Sequence, residues 1–418
     1  MTALAVVAAS CSSAKEAQPS TTPAARSTWS VSLQPLTPPA QGQSSTPQLT
    51  SSSKGLIASW IERSGDRASL KFSERTADGW SAPKTVASGS GWFLSWADAP
   101  TVMRMSSGTL VADWFVTTRE EVEGYDTLMS YSKDEGRTWA APFKPHRDKT
   151  KTQHGFTTFV EMPDKGLGVI WLDARDQENN TTDPEGGVVT LRFTSFDPAW
   201  KQTADVEVNR RVCECCQTAA TLTADGVIAA FRDRSDKEIR DIAVTRLENG
   251  KWTDAQIVHP DNWEVDSCPI NGPAISARGR DVAVAWFNAK DDQGHAYAAF
   301  SHDAGRTWTA PVRLDEKESV GHVDIELLDD GGAAAAWVEF ADKRQRFTMR
   351  RVDPSGATSA PIVIGGDGPG RVTGYPRMAR AGDELVFAWT ESAAGSEDGE
   401  SGQQIKGAVA RLPRTTAP

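Results

Sequence analysis

The chain has 418 residues, 39% of them hydrophobic, and 56 acidic against 45 basic side chains leave a formal net charge of −11. That balance excludes nucleic acid as the main partner, because such a surface needs a basic face. No apolar run approaches the roughly 20 residues of a membrane-spanning helix.

The first seven residues are short, apolar and without a basic side chain, and Ala8-Ala-Ser-Cys11-Ser12 then resembles a lipobox with Cys11 as the lipid-bearing residue. Residues 12–27 are rich in Ser, Thr, Ala and Pro, the composition of a tether. The expected organisation is a signal or lipoprotein segment with a disordered tether over 1–27, a single folded domain over 28–413 and a tail over 414–418. Such a protein is exported to the periplasm or cell surface, meets the membrane only through a lipid anchor at Cys11, and is a monomer.

From there the sequence repeats. Apolar runs end in an aromatic residue at Trp60, Trp114, Trp171, Phe231, Trp286, Trp337 and Trp389, spaced by 51 to 60 residues. Self-similarity at this period marks propeller blades. The short runs between Gly and Asp-Gly turns fit four-stranded antiparallel units. A second series, Trp80, Trp139, Trp200, Trp252 and Trp308, marks the outer strands, and Arg26-Ser-Thr-Trp29 copies its pattern at the chain start. The last repeat has no outer strand of its own. The expected fold is therefore all-β, a β-propeller of seven four-stranded blades closed by the N-terminal strand, which pairs both exposed edges.

Two octets are nearly identical: Ser132-Lys-Asp-Glu-Gly-Arg-Thr-Trp139 and Ser301-His-Asp-Ala-Gly-Arg-Thr-Trp308. The Asp accepts turn amides, Gly supplies a positive φ, and the Trp carries apolar surface into the next strand. The pattern resembles the Asp box of the bacterial sialidase (BNR-repeat) propellers. That resemblance implies a hairpin between the two outer strands, remote from the active site. Sialidases have six blades, which is the alternative to seven.

In a propeller the ligand face carries the loops that enter the inner strand and leave the second one. On the entering loops, Ser45, Asp98, Phe156, Cys216, Asn271, His322 and Gly374 occupy one column. Two residues beyond each aromatic stands a second: Glu62, Val116, Asp173, Asp233, Asn288, Glu339 and Glu391. Its acids either cap amides of the neighbouring blade or ring a ligand pocket. Arginines share these loops, among them Arg175, Arg232, Arg371 and Arg377. The resemblance implies a glycan or small anionic ligand gripped by arginine forks, with a tyrosine nucleophile and an aspartate acid/base. On this sequence the candidates are Tyr375, Asp98 and Asp233 for catalysis, and Arg232, Arg371, Arg377, Asp173, Asn271 and Glu339 for substrate. The Arg-Ile-Pro signature of the sialidases is absent from the first inner strand. The expected function is an exported sialidase-like propeller that binds, and in its catalytic version hydrolyses, acidic glycans. The alternative is a non-catalytic propeller holding a metal ion or a protein partner.

Four cysteines remain after Cys11: Cys213, Cys215 and Cys216 on one loop, and Cys268 on the next repeat. In an oxidising compartment they form two disulfides; if Cys268 takes one of the three, Cys213 is the favoured local partner, because a Cys215–Cys216 bridge is strained. The other expectation is a soft-metal site for Cu or Zn on these four sulfurs with His322. No cofactor is required otherwise.

Overall fold

The computed structural model describes residues 29–119, 124–177, 188–366, 371–393 and 402–413. Cys11, the tether and the 414–418 tail lie outside the described residues, as does Arg26. Among the described residues no helix is long and apolar enough to cross a membrane.

The strands are short and amphipathic by alternation or fully apolar, and nearly every second strand of a repeat is buried along its length. Leu167–Asp173 is buried at all seven positions and Ala333–Ala341 at eight of nine. Such continuous burial requires cover on both faces, which neighbouring sheets provide. The alanines Ala333 to Ala336 are fully buried and leave room for Trp337, which packs among Ala283, Ala285 and Phe300 of the preceding sheet. Trp60, Trp171 and Trp286 are equally enclosed. Truncating a tryptophan of this kind to alanine costs about 3–5 kcal/mol.

Hydrogen bonding draws five small antiparallel sheets of four or five strands and one of seven. The seven-stranded sheet joins Val102–Arg104, Leu110–Arg119 and Gly124–Ser132 to His154–Glu161, Leu167–Asp173, Thr190–Phe196 and Gln202–Asn209. Its two halves meet through one parallel pair, His154 with Asp126. The expectation of seven separate four-stranded blades, or six, is corrected on this point. The physical reason is the buried contact of the His154 ring with the Asp126 carboxylate, 3.0 Å apart, which draws two repeats together at one end.

Side chains stitch successive inner strands around the ring. Thr50 Oγ1 donates to Val102 O at 2.8 Å, Thr158 Oγ1 to Thr218 O at 2.9 Å, and Leu327 N–H to Ser276 Oγ at 3.1 Å. Met378 N–H donates to Asp324 Oδ2 at 2.8 Å, and Ser51 Oγ to Arg380 O at 2.6 Å returns the last repeat to the first. The N-terminal strand Ser32–Pro35 runs antiparallel to Gln404–Arg411, so the final sheet reads Ser32–Pro35, Gln404–Arg411, Glu384–Ser392, Arg371–Ala381. Trp29, Val31 and Leu33 pack on the apolar cluster of Phe387, Trp389 and Phe347.

The two octets fold into the same turn. Ser132 and Ser301 each donate to the aspartate two residues on (2.8 and 2.7 Å) and accept the glycine N–H (2.9 Å in both). Asp134 and Asp303 each accept the N–H of the arginine (3.1 and 3.0 Å) and the N–H of the threonine (2.9 and 2.8 Å). Gly136 and Gly305 have φ of 75° and 82°, and a Cβ there would stand 2.6 Å from Phe72 and 2.2 Å from Ile228 of the preceding sheets. Only glycine satisfies both constraints. Ser132 pairs with Leu110, where the second strand begins, so this hairpin sits at the opposite end from the loops leaving that strand.

Candidate functional site

Four of the inner strands enter through a break in their ladders. The register shifts between Ser45 and Gln48, Gly155 and Thr158, Gly321 and Asp324, and Thr373 and Arg377. At these bulges Thr46, Phe156, His322 and Gly374 have φ of 51°, 52°, 52° and 68°. A positive φ is costly for a branched or bulky side chain and persists where its surroundings enforce it, most often at functional sites.

Three of these bulges, at Thr46, His322 and Gly374, line a cavity of about 560 Å³. Ser45, Asn271, His322 and Gly374 of the entering-loop column line it, and Trp96 and Arg63 stand at its wall. Trp96 is 45% exposed although it is the largest side chain there. Its ring stacks on Tyr375 (centroids 6.0 Å apart, 16° between planes), and Tyr375 lies against His322 at 4.2 Å. Burial, aided by the Arg377 charge, brings the His322 pKa down to about 4, so its imidazole is neutral near pH 7. The sequence signal for this platform was the aromatic run Trp92-Phe93-Leu94-Ser95-Trp96 in a segment with no strand pattern. Trp96 and Arg63 belong to neither column and escaped the sequence analysis.

A second, smaller chamber of about 190 Å³ is lined by Asp98, Phe156, Gln217, Thr218 and Arg377. Asp98 Oδ2 accepts the Tyr125 hydroxyl at 2.8 Å and the Phe156 N–H at 2.7 Å. Burial outweighs both and raises the Asp98 pKa to about 7. The Arg377 guanidinium lies 5.4 Å over the Tyr375 ring. The Tyr375 hydroxyl donates to the Ile270 carbonyl, and burial together with nearby Cys216 pushes its pKa well up. Tyr375 is thus buried behind Trp96 and His322 with its oxygen engaged by backbone, while Asp98 lines the chamber. Arg371 opens the inner strand of the last repeat, opposite Ser392, and its side chain lies outside the described residues.

The acidic column beyond the aromatic residues is explained differently from either expectation. Trp60, Trp171, Trp337 and Trp389 each donate their indole N–H to the acid two residues on, to Glu62 at 2.9, Asp173 at 2.7, Glu339 at 3.2 and Glu391 at 3.4 Å. Residues two apart on a strand share a face, so the pair is local to one strand. Asp173 also holds Arg175 through contacts of 2.6 and 2.7 Å, and these keep it ionised despite its burial. Neither Asp173 nor Glu339 lines the mouth cavity. Where Phe231 replaces tryptophan, Asp233 has no indole to accept; burial, with Asp241 close by, raises its pKa to about 6. Asp233 pairs with Val212 at the cysteine loop and lines neither cavity.

Arg232 does not face a ligand. Its guanidinium is 2% exposed and donates to three carbonyls, those of Asn271 (2.7 and 2.9 Å), Arg240 (2.7 Å) and Phe287 (2.7 Å), while lying 5.0 Å from the Trp263 ring. It is a clamp between two repeats. The cysteine loops meet as expected at this end of the sheets, where Cys213 N–H bonds Arg232 O. Cys215 is bonded to Cys268, while Cys213 and Cys216 are free and buried with their sulfurs 3.0 Å apart. Of the expected ligand set, Cys213, Cys215 and Cys216 bring their sulfurs within 4.8 Å of one another, with Cys215 bonded to Cys268, whereas His322 packs on Tyr375. Within the free pair, burial and the neighbouring Cys213 push Cys216 up, whereas Cys216 and Arg232 draw Cys213 down.

A further cluster joins Asp126, His146 and His154, all buried, with donor atoms within 4.8 Å of one another. Both rings contact Asp126 Oδ1 (3.1 and 3.0 Å), and His154 Nε2 meets Asp148 at 2.9 Å. The imidazoles stack at 3.9 Å and 6°. Both rings therefore converge on one oxygen of Asp126, and Lys144 takes the other.

No protein-family model matches the chain, and no curated protein matches it. Among solved structures, the polysaccharide lyase Uly1 superposes with a TM-score of 0.54 over 88% of this chain and 90% of its own, at 8% identity. The α-L-arabinofuranosidase Arb93A from Fusarium graminearum gives 0.49 over 92% and 98% at 12% identity. The intramolecular trans-sialidase from Ruminococcus gnavus gives 0.48 over 75% and 94% at 11% identity. At such identities the likeness is one of architecture, and it agrees with the sheets described above: the chain folds as an all-β propeller.

Proposed function

We propose that this propeller binds an acidic glycan at the mouth of its channel. The observation that carries the proposal is the exposed Trp96 ring, held on Tyr375 and His322 at the wall of the 560 Å³ cavity. A rigid aromatic face beside polar side chains suits the apolar face and hydroxyl edge of a sugar ring. Arg63 at the wall and Arg377 below it supply positive charge for a carboxylate or sulfate. Ligands named for structural neighbours support this class, among them the -[GlcA(1-4)Rha3S]- unit bound to an ulvan lyase. The sialidase-like assignment adds the matched hydrogen bonds of the two octets, as an Asp box would make them. Export as a lipoprotein rests on the sequence around Cys11 alone.

Binding without hydrolysis is favoured by the engagement of the Tyr375 hydroxyl with the Ile270 carbonyl. Calorimetric titration of the full chain with uronate-, sulfate- and sialate-bearing oligosaccharides, beside neutral ones, tests the proposal, with product analysis run on the same samples. Binding confined to acidic glycans, weakened at least tenfold in Trp96→Ala, is the expected outcome. Affinity for neutral glycans alone, or none for any, overturns it. Turnover lost in Tyr375→Phe would move the reading from binding to catalysis.

A further inference from the structure

The sulfurs of the two cysteine loops form a line from solvent to the interior. Cys268 is exposed and bonded to half-buried Cys215. Cys213 Sγ lies 3.8 Å from Cys215 Sγ and 3.0 Å from Cys216 Sγ. Cys213 and Cys216 are 1% and 2% exposed. Arg240 Nη1 stands 3.5 Å from the Cys213 sulfur, and a guanidinium there favours the thiolate, the form that attacks disulfides. A nucleophilic sulfur thus sits between a disulfide on one side and a second thiol on the other.

We propose that the four cysteines form an internal thiol–disulfide exchange relay that transfers the crosslink between the two loops to the buried Cys213–Cys216 pair. In the first step the Cys213 thiolate attacks Cys215 Sγ. A Cys213–Cys215 bond forms, the Cys215–Cys268 bond breaks, and Cys268 leaves as a thiolate that takes a proton from water. In the second step Cys216, having lost its proton to solvent, attacks Cys213 Sγ. A Cys213–Cys216 bond forms and Cys215 leaves as a thiolate. One disulfide and two thiols are present before and after, so no oxidant or reductant enters.

The transfer has a consequence at the mouth. The loop carrying Cys268 also carries Ile270, whose carbonyl accepts the Tyr375 hydroxyl, and Asn271, whose Oδ1 accepts the His322 N–H at 2.8 Å. Asn271 N–H in turn bonds Cys216 Sγ at 3.4 Å. Migration of the disulfide removes the covalent tie on this loop and changes the sulfur that accepts its backbone. One wall of the cavity is therefore released while Cys215 and Cys268 become thiols. This inference stands on the sulfur geometry and does not depend on which ligand the mouth takes.

The test uses the full chain, titrated anaerobically with a phosphine until two thiols besides Cys11 are present per chain, held at pH 8, quenched in acid, alkylated after denaturation and mapped by mass spectrometry. Both the Cys215–Cys268 and Cys213–Cys216 linkages are expected in the wild type. Cys216→Ser should accumulate Cys213–Cys215 with Cys268 alkylated, and Cys213→Ser should retain Cys215–Cys268 throughout. Amide exchange over residues 264–272 should quicken at least tenfold in the fraction carrying Cys213–Cys216. Wild-type protein that keeps Cys215–Cys268 alone, or that cannot be brought to two thiols because all four sulfurs stay paired, overturns the relay. Unchanged exchange over 264–272 overturns release of the wall. The wild-type mapping needs no variant, so a misfolded mutant leaves the result decisive.

Discussion

The two ends of the sheets treat sequence repetition in opposite ways. At the hairpin end, Ser132–Trp139 and Ser301–Trp308 are near copies, and five hydrogen bonds recur between them within about 0.1 Å. At the mouth end, equivalent bulges also recur, but they carry Thr46, Phe156, His322 and Gly374. The hairpins keep their side chains because those side chains satisfy their own backbone. The mouth positions are free to diverge because the bulge is enforced by the ring around it. Repetition thus builds the scaffold, and departure from it builds the cavity.

The comparison can be broken most forcefully at Arg232, a mouth-end residue with a scaffold role. Arg232→Ala would leave the carbonyls of Asn271, Arg240 and Phe287 without their donor. A loss of about 3–5 kcal/mol is expected, since each orphaned buried group costs about 1–3 kcal/mol, and denaturant melts would show it. A loss no larger than that of an exposed residue would mean that the clamp is dispensable.

Asp98 sharpens the contrast through pH. Its carboxyl has a pKa of about 7 in the fold against 3.8 as a free side chain, so the folded chain keeps a proton that the unfolded chain has lost between those values. Stability therefore falls as pH rises from about 4 to about 7 and stays reduced above that. Asp98→Asn, which cannot titrate, should gain on wild type by roughly 1–3 kcal/mol between pH 5 and pH 8. Parallel melting curves for the two chains would refute this burial cost.

The smallest effect is expected at the hairpins. Ser301→Ala removes the acceptor of the buried Gly305 N–H and one donor to Asp303, for about 1 kcal/mol. Ser132→Ala should match it closely, because the two turns share their geometry. Unequal losses would show that similar sequence conceals different support from the neighbouring sheets.

Much of the architecture was legible because it is periodic. The aromatic-ended runs marked the second strands, and the Trp29 region marked a strand shared with the final repeat, which Ser32–Pro35 provides. The acidic column was visible too, but its partners were misjudged. An indole two residues back on the same strand donates to Glu62, Asp173, Glu339 and Glu391, a contact within one strand that a reading of cross-blade contacts does not reveal. The fused seven-stranded sheet depends on the Asp126–His154 contact between residues of different repeats, for which spacing gives no signal.

By itself, then, the sequence determined the strand repeat, the paired octet turns and the strand shared between chain ends, because each is a local pattern whose hydrogen bonds close within a few residues or whose apolar face requires a neighbour. Only the tertiary structure decided which polar side chains line the cavities. Arg232 turned inward to carbonyls, Cys215 chose Cys268, and Trp96 was left exposed on Tyr375. Those outcomes depend on the distance and orientation between separate repeats, which close packing of the ring sets and residue order does not record.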